Sequence, residues 1–256
     1  MALTEKLKNI ADTIRAKTGG TDPLTLDQMA VEIAGISMGD TSVEDGLLDG
    51  TFAAESYTNN RITQLRTNAL SGFSNLKSFT GTNVKKVLTY SFQNAGIETV
   101  HLPSAEMIAS RAFQGCASLE SISLPSLTTS TAHSTLFLNC KKLKDVHLPN
   151  MLCAKTAMFN ACTSLEEISL PSVISIEANV FLEATALKKV ILKHSEVVSL
   201  ANVNAFDKTP FASGGTGGTV YVPQALIESY QNATNWSTLY AAGTCNFVAI
   251  EGSEYE

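Results

Sequence analysis

The sequence contains few charged side chains and no long apolar run. Asp, Glu, Lys and Arg make up 16% of its 256 residues, and the formal net charge is −6. Hydrophobic residues reach 44%, an ordinary share for a globular protein, so the low charge does not indicate disorder. A net negative charge has the wrong sign for a nucleic-acid partner, whose phosphates need a basic face. No apolar run approaches the roughly 20 residues of a membrane-spanning helix, so we expect no membrane insertion.

Cysteine is scarce as well, and the N-terminus lacks the pattern of a secretion signal. Five cysteines in a chain of this length do not make the dense disulfide framework of a small secreted protein. Residues 1–8 alternate charged with apolar side chains, whereas a signal peptide needs an unbroken apolar core. We therefore expect synthesis without a signal peptide.

An internal repeat of about 22 residues dominates the sequence. A Leu-Pro pair ends four of the units, at Leu102-Pro103, Leu124-Pro125, Leu148-Pro149 and Leu170-Pro171. A phenylalanine occupies an earlier position of the unit, at Phe92, Phe113, Phe137, Phe159 and Phe181. Leucine recurs between these two positions, at Leu119, Leu143, Leu165 and Leu187. The equivalent residues should stack as buried columns.

Each unit contains one short alternation of apolar and polar residues, such as Leu119, Ile122 and Leu124, which indicates a β-strand. A strand this short cannot bury its apolar side alone, whereas stacked units bury a continuous core and join their strands in one parallel sheet. The proline that follows ends the strand because it offers no N–H to the ladder. The sequence therefore predicts a mainly β solenoid of stacked coils over residues 47–223.

One repeat position holds cysteine in three coils, Cys116, Cys140 and Cys162. Phe73, Ala95 and Ala184 occupy it in other coils, so the position is an interior apolar one. A metal site would need converging ligands, usually in close C-x-x-C pairs, and the sequence has none. We expect no metal, no cofactor and no catalytic residue.

The consensus A-F-x-x-C-x-x-L-x-x-I-x-L-P resembles the BspA-like leucine-rich repeats of bacterial surface proteins, over residues 47–248. Residues 220–236 resemble the terminal unit common in that family, and residues 47–52 resemble its usual opening segment. The resemblance implies a leucine-rich-repeat solenoid and a role in binding or adhesion rather than catalysis. It does not imply one defined ligand.

Residues 1–36 have the pattern of an α-helical hairpin, followed by a polar linker at 37–46. Its apolar positions at helical spacing are Leu3, Leu7, Ile10, Ile14, Met29 and Ile33. A hairpin this small leaves apolar surface uncovered, which the first coil or an assembly partner could cover. The segment also resembles a module of tail-associated proteins of phages and prophages of gut Firmicutes. We therefore expect an assembly module that self-associates or docks on a virion.

At the other end, residues 224–256 are predicted to form a helical cap. Residues 224–232 suit a short helix, and Phe247, Val248 and Ile250 could add a closing strand. A solenoid needs such a cap, because an open last coil exposes its core and an unpaired strand edge.

Two lines of residues should run across the strands on the solvent side. The first contains His101, Ser123, His147, Ser169, Ile191 and Tyr221. Its polar members could hydrogen-bond a host-cell surface protein or glycan, or they could form an ordinary solvated face. Ser beside His suggests a hydrolase, but strand neighbours stand side by side and no orienting carboxylate is evident. The second line alternates in charge and suggests surface ion pairs, at Lys77, Glu98, Glu120, Lys144, Glu166 and Lys188.

These features favour a non-enzymatic binding protein on a phage tail or a similar extracellular particle, made in the bacterial cytoplasm and released without a signal peptide. The alternative is a bacterial cell-surface adhesin, and a cytoplasmic scaffold is a third possibility.

Overall fold

The computed structural model describes residues 54–128 and 134–256, which include most of the predicted solenoid and its C-terminal cap. The predicted hairpin at 1–36, the linker at 37–46 and the start of the solenoid region lie outside the described residues.

Short strands dominate the described residues. In chain order they are β1 (Ser56–Thr58), β2 (Gln64–Leu65), β3 (Ser78–Thr80), β4 (Lys86–Val87), β5 (Thr99–His101), β6 (Met107–Ile108), β7 (Ser121–Ser123), β8 (Asp145–His147), β9 (Cys153–Ala154), β10 (Glu167–Ser169), β11 (Ser175–Ile176), β12 (Lys189–Ile191), β13 (Ser199–Leu200), β14 (Gly218–Val222) and β15 (Cys245–Ala249). The helices among these residues are α1 (Ile227–Asn232) and α2 (Trp236–Ala241), with 3₁₀ turns at Val203–Phe206 and Gln224–Leu226.

One parallel sheet of nine strands runs through the described solenoid, in the order β1-β3-β5-β7-β8-β10-β12-β14-β15. Each coil contributes one strand, so neighbours in the sheet are one repeat apart in the sequence. In this sheet β3, β5, β7, β8, β10 and β12 have three residues each. Their central residue faces the core, and Phe79 and Ile122 are buried there. This is the predicted leucine-rich-repeat solenoid.

A second wall closes the coils behind this sheet. Among the described residues it contains two three-stranded parallel sheets, β2-β4-β6 and β13-β11-β9. The apolar residues that follow each Leu-Pro pair are fully buried at this wall, at Ala105, Leu127, Met151 and Val173. The core therefore lies between the nine-stranded sheet and the second wall.

A column of aromatic rings runs through the core. Six phenylalanines stack in sequence order with centroid distances between 5.0 and 5.7 Å, and all are fully buried: Phe92, Phe113, Phe137, Phe159, Phe181 and Phe206. This separation is close to the roughly 4.8 Å between adjacent strands, so the rise of the coils sets the stacking. The repeat leucines, Leu119, Leu143, Leu165 and Leu187, are fully buried too. The predicted register of the repeat is confirmed.

The chain turns sharply on both sides of each repeat phenylalanine. Two residues before and two residues after Phe159, Ala157 and Ala161 adopt left-handed φ angles of 54° and 58°. The equivalent of Ala161 two coils earlier is Gly115, with φ 74°, and its N–H donates to the carbonyl of Leu138 at 2.8 Å. An alanine with a left-handed φ angle carries backbone strain that glycine avoids. The hydrogen bonds to the next coil hold the alanines in this conformation.

The three repeat cysteines form what we call the cysteine ladder. Cys116, Cys140 and Cys162 are fully buried, and each thiol donates to a phenylalanine carbonyl of the preceding coil, at 2.9, 3.1 and 3.2 Å respectively. Burial raises the pKa of Cys116 to about 12 and raises the pKa values of Cys140 and Cys162 as well. All five cysteines of the chain lie in the described residues, and all are buried and free. The predicted interior position is confirmed.

The C-terminal cap is built on one buried tryptophan. The indole N–H of Trp236 donates to the carbonyl of Val198 at 2.7 Å, and the Tyr230 hydroxyl accepts the Val198 N–H at 3.0 Å. Trp236 also packs on Phe206 and Phe247, with centroid distances of 5.8 and 5.9 Å. The cap thus extends the aromatic column and satisfies the exposed backbone of the last coil. In the described ranges, no helix is both long and apolar enough to cross a membrane.

Candidate functional site

The strand register aligns the predicted binding residues on the outward face, by which we mean the face of the nine-stranded sheet that points away from the core. The register pairs His101 with Ser123, Ser123 with His147, and His147 with Ser169. We call this line the outer column. His101, Ser123 and His147 are exposed, and Ser169 is half-buried. The structure thus brings these residues together, and their role in binding stays a prediction.

A second polar line on the same face escaped the sequence analysis. It consists of the first residue of each strand, and its members from β5 to β12 are Thr99, Ser121, Asp145, Glu167 and Lys189. We call it the parallel column. The first and third side chains of a three-residue strand point to the same face. Counting two residues back from each member of the outer column would therefore have found it.

A groove of about 640 Å³ lies between these two columns over β5, β7, β8 and β10. Its lining residues carry hydroxyl, carboxylate, imidazole and ammonium groups and include three aliphatic residues at strand centres: Thr99, Val100, Ser121, Ile122, Ser123, Lys144, Asp145, Val146, His147, Ser164, Glu166, Glu167 and Ser169. The polar groups can donate and accept hydrogen bonds, and the half-buried Val100 and Val146 offer small apolar contacts. Such a lining suits a hydroxyl-rich or peptide ligand.

The groove has an excess of negative charge. Asp145, Glu166 and Glu167 supply three carboxylates to the lining, and Lys144 supplies the one ammonium group. Glu167 also lies 3.6 Å from the ammonium nitrogen of Lys189, so part of its charge is compensated from the next strand. The field in the groove therefore disfavours anionic ligands such as phosphates.

The predicted charge line forms only in part. Lys77 and Glu98 approach to 3.7 Å, as expected for neighbouring coils. Glu120 instead pairs at 3.9 Å with Lys142, two residues before the predicted partner Lys144. Exposed pairs of this kind contribute about 0–1 kcal/mol each, so they affect solubility more than stability.

The Ser–His neighbours of the outer column do not form a nucleophile–base pair. Within residues 54–128 and 134–256, no hydrogen bond joins Ser123 to His147, although the register makes them direct neighbours. A hydrolase would need that bond and a group that orients the imidazole. The same residues contain no group of three or more His, Cys, Asp or Glu side chains that could hold a metal ion.

The outer column is not open along its whole length. Ile191 occupies the position between Ser169 and Tyr221, and it is fully buried although it points outward. At the neighbouring position of the column, the Tyr255 ring packs edge-on against Tyr221 at a centroid distance of 4.6 Å. Tyr221 is therefore engaged within the molecule, in contrast to the exposed side chains of His101, Ser123 and His147.

The residues predicted for assembly lie outside the described residues. They are Leu3, Leu7, Ile10, Ile14, Met29 and Ile33. Their role in self-association or virion docking stays a prediction.

Comparison with known proteins identifies the repeat. Residues 40–108 and 85–212 match the model of the BspA type leucine rich repeat region, with six copies. No curated protein matches the chain. Nothing in the comparisons supports the resemblance of residues 1–36 to a phage-tail module.

Two similar crystal structures are also leucine-rich-repeat proteins. A leucine-rich repeat protein from Bacteroides ovatus ATCC 8483 is 21% identical, with a TM-score of 0.42, over 64% of this chain and 48% of that one. A leucine rich cell surface protein from Faecalibacterium prausnitzii A2-165 is 13% identical, with a TM-score of 0.30, over 60% of this chain and 57% of that one. The chain thus spans about half the length of these two proteins. Since the matched repeat region exceeds half of the sequence, the chain belongs to the BspA type leucine rich repeat family.

Proposed function

We propose that this protein is a non-enzymatic adhesin of the bacterial cell surface, which binds a protein or glycan of another cell through the outward face of its sheet. The observation that carries the proposal is the groove of about 640 Å³ on that face, lined by polar side chains of four successive strands. Concave, polar and exposed surfaces of this kind are where solenoid proteins bind their partners.

Family membership supports a binding role over catalysis. The BspA-like repeats are typical of bacterial surface proteins that bind and adhere, which favours the adhesin over the phage-tail protein that the N-terminal pattern suggested. The separation of Ser123 from any hydrogen-bonded base supports the same conclusion, because the groove offers recognition groups but no activated nucleophile.

The chemistry of the groove narrows the ligand. Five hydroxyl side chains stand beside carboxylates, and this combination can accept and donate hydrogen bonds to sugar hydroxyls or to a peptide backbone. The excess of carboxylates disfavours sulfated or phosphorylated ligands. We therefore expect a neutral glycan in the groove, or a protein segment that is neutral or basic where it lies in the groove.

The proposal is tested with wild-type protein and two matched variants on a glycan array and on fixed epithelial cells. Ser123→Arg places a long cationic side chain in the groove, while Ser199→Arg makes the same change on β13 of the second wall. Both serines are exposed, so neither variant should lose the fold. We expect Ser123→Arg to reduce binding at least ten-fold and Ser199→Arg to leave it unchanged. Equal binding by both variants would exclude the outward face as the binding surface.

A further inference from the structure

Residues 250–256, which we call the C-terminal strap, fold back over the outward face. The strap begins at Ile250, whose N–H donates to the carbonyl of Val222 at 3.0 Å at the end of β14. It turns at Gly252, which has a left-handed φ of 77°. The Ser253 hydroxyl then donates to the Ile250 carbonyl at 2.6 Å and accepts the N–H of Tyr255 at 3.2 Å. These bonds aim the Tyr255 ring at the sheet.

The side chains of Glu251, Glu254 and Tyr255 hold this position. The Glu251 carboxylate accepts the N–H of Gln224 at 2.8 Å. The ammonium nitrogen of Lys189 lies 2.9 Å from the Glu254 carboxylate and donates to the Tyr255 hydroxyl, also at 2.9 Å. The same hydroxyl donates to the carboxylate of Glu167. The Tyr255 ring stands against Tyr221. On the strap, a tyrosine stands beside a carboxylate. On the sheet, a lysine, a carboxylate and an aromatic ring contact these two groups.

The covered area continues the groove. Glu167 both lines the groove and binds the strap, so the two regions share a residue. Beyond Glu167, the outer column continues with the fully buried Ile191 and with the half-buried Tyr221, against which the Tyr255 ring packs. Without the strap, the outward face would present a polar groove followed directly by an apolar, aromatic area.

The contacts of the strap are of the displaceable kind. The side chains of Lys189 and Glu254 are 39% and 67% exposed, so solvent screens their attraction. The covalent link to β15, in contrast, keeps the strap at a high effective concentration over its site. A weakly held but tethered segment can be replaced by a partner that makes the same contacts and also fills the groove.

We propose that the strap occupies the place of an acidic, tyrosine-bearing peptide segment of the protein ligand, and that binding displaces it. This inference rests on the proposed function, since it adds the partner's chemistry and a competing segment to the same face. The partner's tyrosine ring lies over Ile191 and against Tyr221, its hydroxyl bonds to Glu167, and its neighbouring carboxylate pairs with Lys189. The rest of the partner chain continues into the groove.

The test uses full-length protein and a fluorescent heptapeptide with the sequence of residues 250–256. In the Tyr255→Ala protein the strap loses its anchor, so we expect the peptide to bind at least ten-fold more tightly than to wild type. A peptide carrying the Tyr255→Ala change should not bind. Adding Lys189→Met to the Tyr255→Ala protein should weaken peptide binding at least ten-fold. Hydrogen exchange of the strap N–H groups of Ile250 and Ser253 should be faster in the Tyr255→Ala protein than in wild type.

Three outcomes would overturn the inference: no peptide binding to folded Tyr255→Ala protein, equal binding of both peptides, or unchanged exchange of the strap N–H groups. In those cases the strap is only part of the cap. None of these results touches the groove over β5 to β10, whose role is tested separately by Ser123→Arg. If Ser123→Arg does not reduce cell binding while the peptide binds as expected, the strap site is real and the proposed adhesin surface is wrong.

Discussion

Replacing Phe159 by alanine is expected to destabilise the protein by about 4 kcal/mol. The ring is fully buried between Phe137 and Phe181, at centroid distances of 5.5 and 5.7 Å. Truncation of a buried phenylalanine costs about 3–5 kcal/mol, depending on how far the site can collapse. Here collapse is restricted, because the N–H of Phe159 donates to the Val180 carbonyl at 2.9 Å and the next coil fixes the backbone. The melting temperature should fall by about 8–16 °C.

Urea denaturation, followed by far-ultraviolet circular dichroism and by the fluorescence of Trp236, measures this cost. Trp236 is the one tryptophan of the sequence and reports on the cap, while the dichroism reports on the whole solenoid. Phe159→Leu retains most of the volume and should cost about 1.5 kcal/mol or less. Ile174→Ala, at a side chain that is 49% exposed, should cost less than about 0.5 kcal/mol. A cost below about 1 kcal/mol for Phe159→Ala would refute the continuous column.

Three further predictions concern the ladder, the turns and the cap. Burial raises the folded pKa values of the ladder thiols above their unfolded value of about 9, so they stabilise the fold below pH 9 and this stability is lost as pH rises. Wild type should lose about 1 kcal/mol per ladder thiol between pH 8 and pH 10 in urea denaturation, a loss that replacing all three by alanine should remove. Gly115→Ala should lower stability by about 1–3 kcal/mol, because the added Cβ would overlap the side-chain oxygen of Asn94. Ala161→Gly, at the equivalent position, should be neutral or should stabilise the protein by up to about 1 kcal/mol. Thermal melts of both variants measure these effects, and equal effects would contradict the prediction. Trp236→Phe leaves the Val198 carbonyl without its indole donor and should cost about 1–3 kcal/mol in the same melts, while an unchanged melting temperature would show that the bond contributes nothing.

The repeat made most of the solenoid predictable. Leu-Pro pairs and phenylalanines at a constant spacing fix which residues lie side by side, because each coil advances by one strand. The alignment of His101, Ser123 and His147 follows from that spacing alone. A position that accepts cysteine, alanine and phenylalanine is buried for the same reason, which made the cysteine ladder predictable.

Other features of the site left no periodic signal. Ala157 adopts a left-handed angle, and so do Tyr90, Arg111 and Thr135 at the equivalent position of other coils. The stack therefore imposes this conformation whatever the residue is. The strap lies outside the repeat, and its contact between Tyr255 and Tyr221 joins segments that no repeat relates. The sequence therefore predicted an open outer column up to Tyr221, whereas the structure closes it from Ile191 onward.

A labelling experiment on one introduced cysteine tests the central claim, that the outward face binds the ligand. The native cysteines are all buried, so a bulky maleimide should modify only a thiol introduced at an exposed position. Ser123→Cys places that thiol in the groove, and Ser199→Cys places it on β13 as the control. Binding of each protein to the array glycan or fixed cells that wild type binds is measured before and after labelling. We predict that the label reduces binding by Ser123→Cys at least ten-fold and does not change binding by Ser199→Cys; unchanged binding by labelled Ser123→Cys would contradict the account.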